Sequence, residues 1–430
     1  MIIDFFKKKR QQLEESPLEY WEENSYIHAL SSDDKSFTLD ADAINRIRNL
    51  TDVKLIGHML PVYEEGKPGV LFVEYMGYEY EVYYYYDDLE LSDINMLLYQ
   101  KHLFSDEEID KIQKVKKALT SYMKFNDDVR ASYILQLKLL VALMPDALAF
   151  EDESAEKLMN RKWVELAIHS KLPCAFSDLY SIQGVEGENG DVWLHTHGLA
   201  RCNIAELEIL QSCREFWDQH CNTISTLANL ILEGEYDEEE NCAIIGQFMD
   251  GNPIIVRKIS WTQGVLKYNI KTFGTEKERK SSHNSKREII VALIDDKVYT
   301  IDKIDKRLGD NPVFYFLNSE TERMKDLALE RFSYVRKVMK EQERESYILV
   351  KMGLKTDDSN QENKKEYIWF ELLGIDGETM HLKLTQEPYY ISNLHEGDEG
   401  EYLLEDLTDW LIFNTPRGTV SPGTAYLLDI

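Results

Sequence analysis

The strongest local constraint on the fold of this chain is a strand-like alternation between Val192 and His197. Successive side chains of a strand point to opposite faces of the sheet. The pattern therefore predicts that Trp193, His195 and His197 share one face of a strand. Gly198 suits the end of this strand, because glycine tolerates backbone angles that other residues avoid.

A helix is predicted directly after this strand. Asn203 and Glu206 have the spacing of a capping box, in which the first side chain caps the helix and the glutamate bonds back to it. An apolar stripe at helical spacing follows, made of Leu207, Leu210, Cys213 and Trp217. The stretch Asp191–Leu210, which contains DVWLHTHGLARC, is therefore predicted to fold as strand, short loop and helix.

His195 and His197 are candidate metal ligands, because imidazoles at positions i and i+2 of a strand project from the same face. Cys202 is the nearest candidate for a third ligand, with Glu206 and Glu208 as further candidates, and zinc is a divalent metal that accepts such ligands. The alternative needs no metal or other cofactor. In it, Trp193 and the two histidines line a cleft or form a packed wall, and Glu206 only satisfies the helix start.

The composition describes an acidic protein with enough apolar residues for packed domains. Of its 430 residues, 43% are hydrophobic, and the formal net charge is −29. The last ninety residues, 341–430, carry 19 acidic residues against 7 basic ones, a net charge of −12. Such a surface repels the phosphate backbone, so nucleic acid is not an expected partner.

Cysteine usage and hydropathy bear on the compartment. The five cysteines are an odd number without CxxC spacing, which argues against a disulfide framework and predicts a reducing cytoplasm. No run of eighteen or more apolar residues occurs, so neither a membrane span nor a membrane partner is expected. The polar, basic segment Gly274–Lys286 is predicted to be a mobile loop, and it has no aromatic side chain for stacking on bases.

The order of helix and strand patterns predicts an α+β, multi-domain protein. Residues 1–235 form a mixed N-terminal region that includes the strand, loop and helix described above. Residues 236–320 are rich in β-hairpin patterns, and residues 321–343 form an amphipathic connector helix. Residues 344–430 contain five short strand patterns, which predict a small barrel or curled sheet that folds on its own.

Three further patterns in the N-terminal region are specific enough to predict structure. Val70–Tyr86 predicts a hairpin whose second strand presents one half-buried face, made of Tyr78, Tyr80, Val82 and Tyr84, opposite Glu79 and Glu81. Ser105 and Glu108 form a capping box that opens a predicted helix over Asp106–Leu119. The stretch Ala131–Met144 is apolar nearly all round, which predicts a buried helix that ends at Pro145.

The C-terminal segment resembles the bacterial family called domain of unknown function 2314. That resemblance rests on an aromatic strand with Trp369, a turn at Glu387-Pro388, the pair Gly397-Asp398 and the dipeptide Asp409-Trp410. Glu387 stands where the family usually has asparagine. Upstream, SYILQLKLLVALMPDALAFEDESAEKL and DVWLHTHGLARCNIAELEIL resemble the family called domain of unknown function 4026. The resemblance implies no catalytic residues.

The sequence favours a binding protein over an enzyme. It contains no nucleophile-elbow motif, phosphate-binding loop or dinucleotide fingerprint, and a nucleophilic Cys202 would need a histidine within hydrogen-bond reach. We therefore expect a cytoplasmic, non-enzymatic binding protein with a basic protein partner. An immunity-like protein that covers the basic surface of a toxin is one concrete form. The alternative is a metal-dependent hydrolase centred on His195 and His197.

Overall fold

The structure is a computed structural model that describes residues 23–31, 41–62, 67–89, 101–187, 190–268, 286–310, 312–315, 318–341, 346–357 and 365–428. It divides into two compact units, Met1–Val164 with Cys174–Phe316 and Glu165–Pro173 with Leu317–Ile430. The predicted segment boundaries at 235, 320 and 343 stay predictions. The predicted loop Gly274–Lys286 lies, except for its last residue, outside the described residues.

The first unit begins with an antiparallel sheet whose strand order is β2-β3-β4-β5-β1-β6-β7. Its strands are β1 (Ser25–Leu30), β2 (Val53–Met59), β3 (Gly69–Tyr75), β4 (Tyr78–Asp88), β5 (Lys117–Met123), β6 (Ala149–Asp152) and β7 (Lys157–Asn160). The predicted hairpin is β3–β4, and it turns at Met76 and Gly77, which both have positive φ, at 50° and 84°. Two successive positive φ values match the right-handed twist of a two-residue hairpin.

A second sheet follows in the same unit, with strand order β15-β11-β12-β13-β10-β9-β8 and β14 paired to β13. Its strands are β8 (Ser181–Glu186), β9 (Asp191–His197), β10 (Glu206–Cys213), β11 (Ala243–Gln247), β12 (Pro253–Ser260), β13 (Arg287–Ile294), β14 (Lys297–Tyr299) and β15 (Val313–Phe314). The pairing of β10 with β13 is parallel, and β9 is antiparallel to both β8 and β10. This sheet therefore contains the stretch that the sequence marks out.

The described residues also form nine α-helices. They are α1 (Ala41–Arg48), α2 (Asp106–Ile112), α3 (Val129–Leu143), α4 (Arg161–His169), α5 (Trp217–Glu233), α6 (Trp261–Tyr268), α7 (Asp305–Leu308), α8 (Asn318–Glu330) and α9 (Phe332–Glu341). The predicted single connector helix over 321–343 is thus wrong in detail, because the chain leaves the helical path at Arg331. None of the described helices combines the length and the apolar character that a membrane crossing requires.

Helices α2 and α3 test two local predictions. The capping box of α2 is confirmed, since the Ser105 side chain accepts from the Glu108 amide and the Glu108 carboxylate accepts from the Ser105 amide. The predicted extension of this helix to Leu119 is wrong, because Lys117–Met123 becomes β5, which pairs on both sides with β4 and β1. The buried helix is confirmed as α3, whose Gln136 amide donates to the carbonyls of Ser25 and Ser121 at 3.0 Å each.

The C-terminal part of the second unit is a six-stranded antiparallel sheet with strand order β19-β18-β17-β16-β20-β21. Its strands are β16 (Tyr347–Lys355), β17 (Lys365–Asp376), β18 (Thr379–Leu384), β19 (Glu399–Leu403), β20 (Leu407–Thr415) and β21 (Gly418–Val420). Trp410 is fully buried and its indole N–H donates to the Ala328 carbonyl of α8 at 3.0 Å. The predicted α+β class with a β-rich C-terminal module is confirmed.

Candidate functional site

The rings of Trp193, His195 and His197 lie together on one side of β9, as the alternation predicts. The Trp193 and His195 rings stack with centroids 4.1 Å apart, and the His195 and His197 rings meet edge to face at 4.9 Å. The three residues are 3%, 1% and 6% exposed. They therefore belong to the packed interior of the second sheet, and their role as the lining of a cleft stays a prediction.

The helix predicted after this strand is wrong. Glu206–Cys213 is strand β10, and Asn203 ends a short 3-10 turn with a left-handed φ of 60°. The Glu206 carboxylate accepts from the amides of Gly198 and Ala200 at 2.8 and 3.0 Å. It also accepts from the Thr196 hydroxyl, so it stabilises the turn between β9 and β10 instead of capping a helix.

Glu208 is fully buried in β10 and its charge is compensated inside the sheet. Its carboxylate accepts from the Arg287 guanidinium at 3.1 Å and from the Trp193 indole N–H at 3.2 Å. Glu208 also lies opposite His195 in the β9–β10 register. Buried charges persist only when they are paired and hydrogen-bonded, which is the case for this carboxylate.

The rim of this polar cluster is carboxylate-rich. His197 Nδ1 lies 3.3 Å from a carboxylate oxygen of Glu156, which also accepts from the Gln183 amide at 3.1 Å. Burial raises the pKa of Glu156, and burial together with the charge of Glu206 raises the pKa of Glu23. Both shifts follow from desolvation, because the charged form loses water without gaining a full counter-charge.

Cys202 lies in the turn between β9 and β10 and does not complete a ligand set with the two histidines. Its thiol faces the Gly198 carbonyl at 3.8 Å, and burial raises its pKa to about 12. The described residues contain no group of three or more His, Cys, Asp or Glu side chains placed to hold a metal ion. His195, His197 and Cys202 therefore do not form a three-ligand group in the described part of the chain.

The residue beside Cys202 has a structural role that the sequence does not signal. Arg201 makes two charged hydrogen bonds to the Asp152 carboxylate, at 2.7 and 2.9 Å, and donates to Ser25 Oγ at 3.0 Å and the Leu179 carbonyl at 2.6 Å. Lys157 Nζ lies 3.4 Å from the same carboxylate. This buried cluster fixes the β9–β10 turn against strands β1 and β6.

A serine, a histidine and an aspartate also meet in the second sheet. Ser212 Oγ lies 2.7 Å from His220 Nδ1, and His220 Nε2 lies 3.0 Å from Asp305. These residue types can form a nucleophile, a base and an orienting acid. However, Ser212 is 5% exposed and His220 is 0% exposed. We interpret the set as a polar contact that joins β10, α5 and α7.

A group of half-buried tyrosines lies on the other sheet of this unit. Tyr26, Tyr83 and Tyr122 come from β1, β4 and β5, and the register pairs Tyr122 with both of the others. Their rings stack, with centroids 4.9 Å apart for Tyr83 and Tyr122 and 5.3 Å apart for Tyr26 and Tyr122. All three side chains are half-buried. We call these three residues the tyrosine ladder.

The tyrosine ladder occupies the face of β4 that also carries carboxylates. The Tyr83 hydroxyl donates to Glu81 at 2.7 Å, and this bond raises the pKa of the phenol. Glu79 and Asp87 share the face with Glu81, because they are separated from it by even numbers of residues along β4. The ladder is therefore an aromatic surface with a row of carboxylates beside it on β4.

The tyrosine stripe that the sequence predicts is the opposite face of β4. Tyr80, Val82 and Tyr84 are buried there, at 5%, 1% and 0% exposed, and only Tyr78 is exposed, at 45%. Sequence reasoning missed the ladder, although Tyr83 and Tyr85 alternate with the buried tyrosines. That alternation is a signal for a second aromatic face, but it does not show which tyrosines of β1 and β5 lie beside it.

Comparison with known families agrees with this architecture. Residues 25–174 match the model "Protein of unknown function (DUF4026) N-terminal" and residues 180–291 match "Protein of unknown function (DUF4026) C-terminal". The chain belongs to the DUF4026 family. Residues 321–422 match "Uncharacterized protein conserved in bacteria (DUF2314)", so this DUF4026 protein carries a DUF2314 module at its C-terminal side. Both predicted resemblances are confirmed, and no curated protein and no solved structure matches the chain.

Proposed function

We propose that this DUF4026 protein is a cytoplasmic, non-enzymatic interaction protein that binds a basic protein partner through the tyrosine ladder and the carboxylates beside it. The observation that carries the proposal is the ladder itself. Three stacked, half-buried tyrosines face outward on the first sheet, next to Glu79, Glu81 and Asp87. An acidic aromatic surface complements lysine and arginine side chains.

The ladder has the physical properties of a binding hot spot. Tyrosine gives a large contact area and loses little side-chain entropy on binding, because it has only two rotatable angles. In the ladder even this freedom is reduced, since Tyr122 is held between Tyr26 and Tyr83. Less ordering is therefore needed when a partner binds.

The charge of the whole chain supports the same partner chemistry. A net charge of −29 gives a long-range field that attracts basic proteins and repels nucleic acid. An immunity-like protein that neutralises a basic toxin is the concrete form of this function that we propose. The opposite class, a metal-dependent hydrolase at His195 and His197, has no three-ligand group among the described residues to support it.

The test is co-purification of the untagged protein from its native cell at low and at high salt, with metal analysis of the same sample. We expect a basic partner whose recovery falls steeply with salt, because exposed charges are screened over about 8 Å at physiological ionic strength. Replacing Tyr83 and Tyr122 together by alanine should lower the affinity for that partner by about tenfold or more. The matched control is Tyr78→Ala, which removes an exposed tyrosine from the other face of β4.

Two results would contradict the proposal. One is a tight partner that is indifferent both to salt and to the loss of the ladder, which would place the interface elsewhere. The other is a stoichiometric metal ion that is lost when His195 or His197 is replaced, which would favour the hydrolase.

A further inference from the structure

The C-terminal module presents a second pair of aromatic rings on the loop between β18 and β19. Tyr389 is 82% exposed and Tyr390 is 58% exposed, the former being the most exposed large apolar or aromatic side chain among the described residues. The centroids of the two rings lie 6.4 Å apart, and the angle between the ring planes is 51°. Such exposure costs hydrophobic free energy in a free monomer, and it marks surfaces that bind partners.

The backbone under these two rings is held in place by strand β17. The two carboxylate oxygens of Glu366 accept from the amides of Tyr389 and Tyr390, at 2.8 and 2.9 Å. The Asp357 amide donates to the Tyr390 carbonyl at 2.9 Å, and Ile391 next to it is buried. The rings are therefore displayed from a fixed backbone, and binding a partner does not require ordering of the loop.

The rest of the loop is fixed by the residues that resemble the family motif. The Glu387 carboxylate accepts from the Glu396 amide at 3.0 Å and contacts His395 Nδ1 at 2.7 Å. These two interactions lower the pKa of Glu387. The carboxylate of Asp398 accepts from the His395 amide at 2.8 Å. The loop therefore holds its negative charges in fixed positions near neutral pH.

The segment that carries the tyrosine pair is acidic in sequence. Residues 385–406 contain seven aspartates and glutamates and no lysine or arginine. An exposed aromatic pair in this field fits a cationic side chain. The aromatic face attracts the cation, and the surrounding carboxylates complement its charge.

We propose that the Tyr389–Tyr390 loop is a docking site for an arginine-containing, basic segment of a partner protein. Arginine is favoured over lysine because its planar guanidinium stacks on an aromatic ring and still donates hydrogen bonds to carboxylates at its edge. This loop belongs to the second compact unit, whereas the tyrosine ladder belongs to the first. The loop is therefore an additional surface that does not depend on the ladder.

The experiment measures binding of the full chain to fluorescent eight-residue peptides by anisotropy at about 50 mM salt, where surface charges are weakly screened. One peptide alternates arginine with glycine, a second alternates lysine with glycine, and a third alternates glutamate with glycine. The test variant replaces Tyr389 and Tyr390 by alanine. The matched control is Tyr367→Ala, because Tyr367 is 50% exposed in the same module and points to the opposite face of β17 from Glu366.

We expect the arginine peptide to bind more tightly than the lysine peptide, and the glutamate peptide not to bind. The double variant should lose about tenfold in affinity for the arginine peptide, the size of two exposed cation–π contacts, while Tyr367→Ala stays within about twofold. Equal loss in the test and control variants, or none in the test variant, overturns the docking site. Equal affinities for arginine and lysine peptides overturn its arginine preference.

The ladder variant at Tyr83 and Tyr122 serves as a second reference. If the loop variant loses the arginine peptide and the ladder variant does not, the loop site stands whatever the fate of the ladder. If the ladder variant alone loses the peptide, the docking loop is refuted and the ladder is supported.

Discussion

Replacing Asp152 by asparagine is the sharpest perturbation of this fold, because it removes one charge and little volume. In the native protein Asp152 and Arg201 have side chains that are 0% exposed, and the carboxylate receives two hydrogen bonds from the guanidinium. It is also the nearest negative charge to Lys157 Nζ, at 3.4 Å. The asparagine variant leaves a guanidinium and an ammonium group buried without the carboxylate that pairs with both of them.

The expected cost is about 3–5 kcal/mol, the usual penalty for removing one partner of a buried ion pair. A domain is stable by only about 5–15 kcal/mol, so this loss is a large share of the total. The sign of the pH dependence follows from the carboxyl group. Burial raises the pKa of Asp152, but the charges of Arg201 and Lys157 outweigh that effect and hold the pKa below its ordinary value.

A lowered native pKa means that the pair stabilises the fold above about pH 4, the ordinary value for aspartate, and that this contribution is lost as pH falls through the native pKa. Urea unfolding followed by tryptophan fluorescence and circular dichroism measures both effects. We expect the midpoint of the variant to fall by about 1 M or more at pH 7, and the difference from the wild type to shrink in acid.

The matched control is Glu186→Gln, which breaks an ion pair with Arg214 whose side chains are 41% and 79% exposed. Its midpoint should hardly move, because exposed pairs are screened and contribute little. The reasoning is refuted if Asp152→Asn costs less than about 1 kcal/mol, or if the two variants are equally stable.

Three further outcomes are expected. His220→Ala should lower the free energy of unfolding in urea by about 2–4 kcal/mol, because it opens a cavity and leaves Ser212 and Asp305 without their shared partner. A smaller decrease would show that water replaces the ring. Cys202 should resist alkylation at pH 8 in the native protein and react readily in urea, because burial raises its pKa to about 12. Peptide mass spectrometry measures the alkylated fraction, and rapid alkylation of the native protein would contradict a buried thiol. A fragment of residues 317–430 should unfold cooperatively and be more stable than one of residues 344–430, which lacks the Ala328 carbonyl that Trp410 binds; equal stability would make α8 dispensable.

The sequence predicted elements whose cause is local. The α2 capping box needs only Ser105 and Glu108, which lie three residues apart, and the apolar character of α3 is visible all around the helix. Asn203 and Glu206 have the same three-residue spacing, but Glu206 bonds back to Gly198 across the turn. A pattern that predicts a helix in isolation was therefore overridden by contacts within a β-hairpin.

The candidate site could be predicted only in part, for a related reason. Alternation along one strand is enough to place Trp193, His195 and His197 on one face. Arg201 and Asp152 are 49 residues apart in the chain, and the rings of Tyr26 and Tyr122 meet only because β1 pairs with β5 in one register. Such contacts depend on strand order, which a single sequence does not contain.

We interpret the buried ion pairs of the first unit as contacts that fix the strand register, and not as a source of net free energy of unfolding. Well-packed apolar residues often replace a buried pair without loss, so its presence needs another reason. Arg287 is paired with Glu206 in the β10–β13 register, but it bonds to Glu208, two residues along the same face. A shift of one residue in the pairing of β10 with β13 would turn either Arg287 or Glu208 to the opposite face of the sheet. The other side chain would then be a buried charge without its partner. Arg201 acts similarly at β1, where its bond to Ser25 fixes the strand one residue before Tyr26. The buried pair of Arg201 and Asp152 therefore holds strand β1 at Ser25, and the pairing of β1 with β5 brings Tyr26 opposite Tyr122.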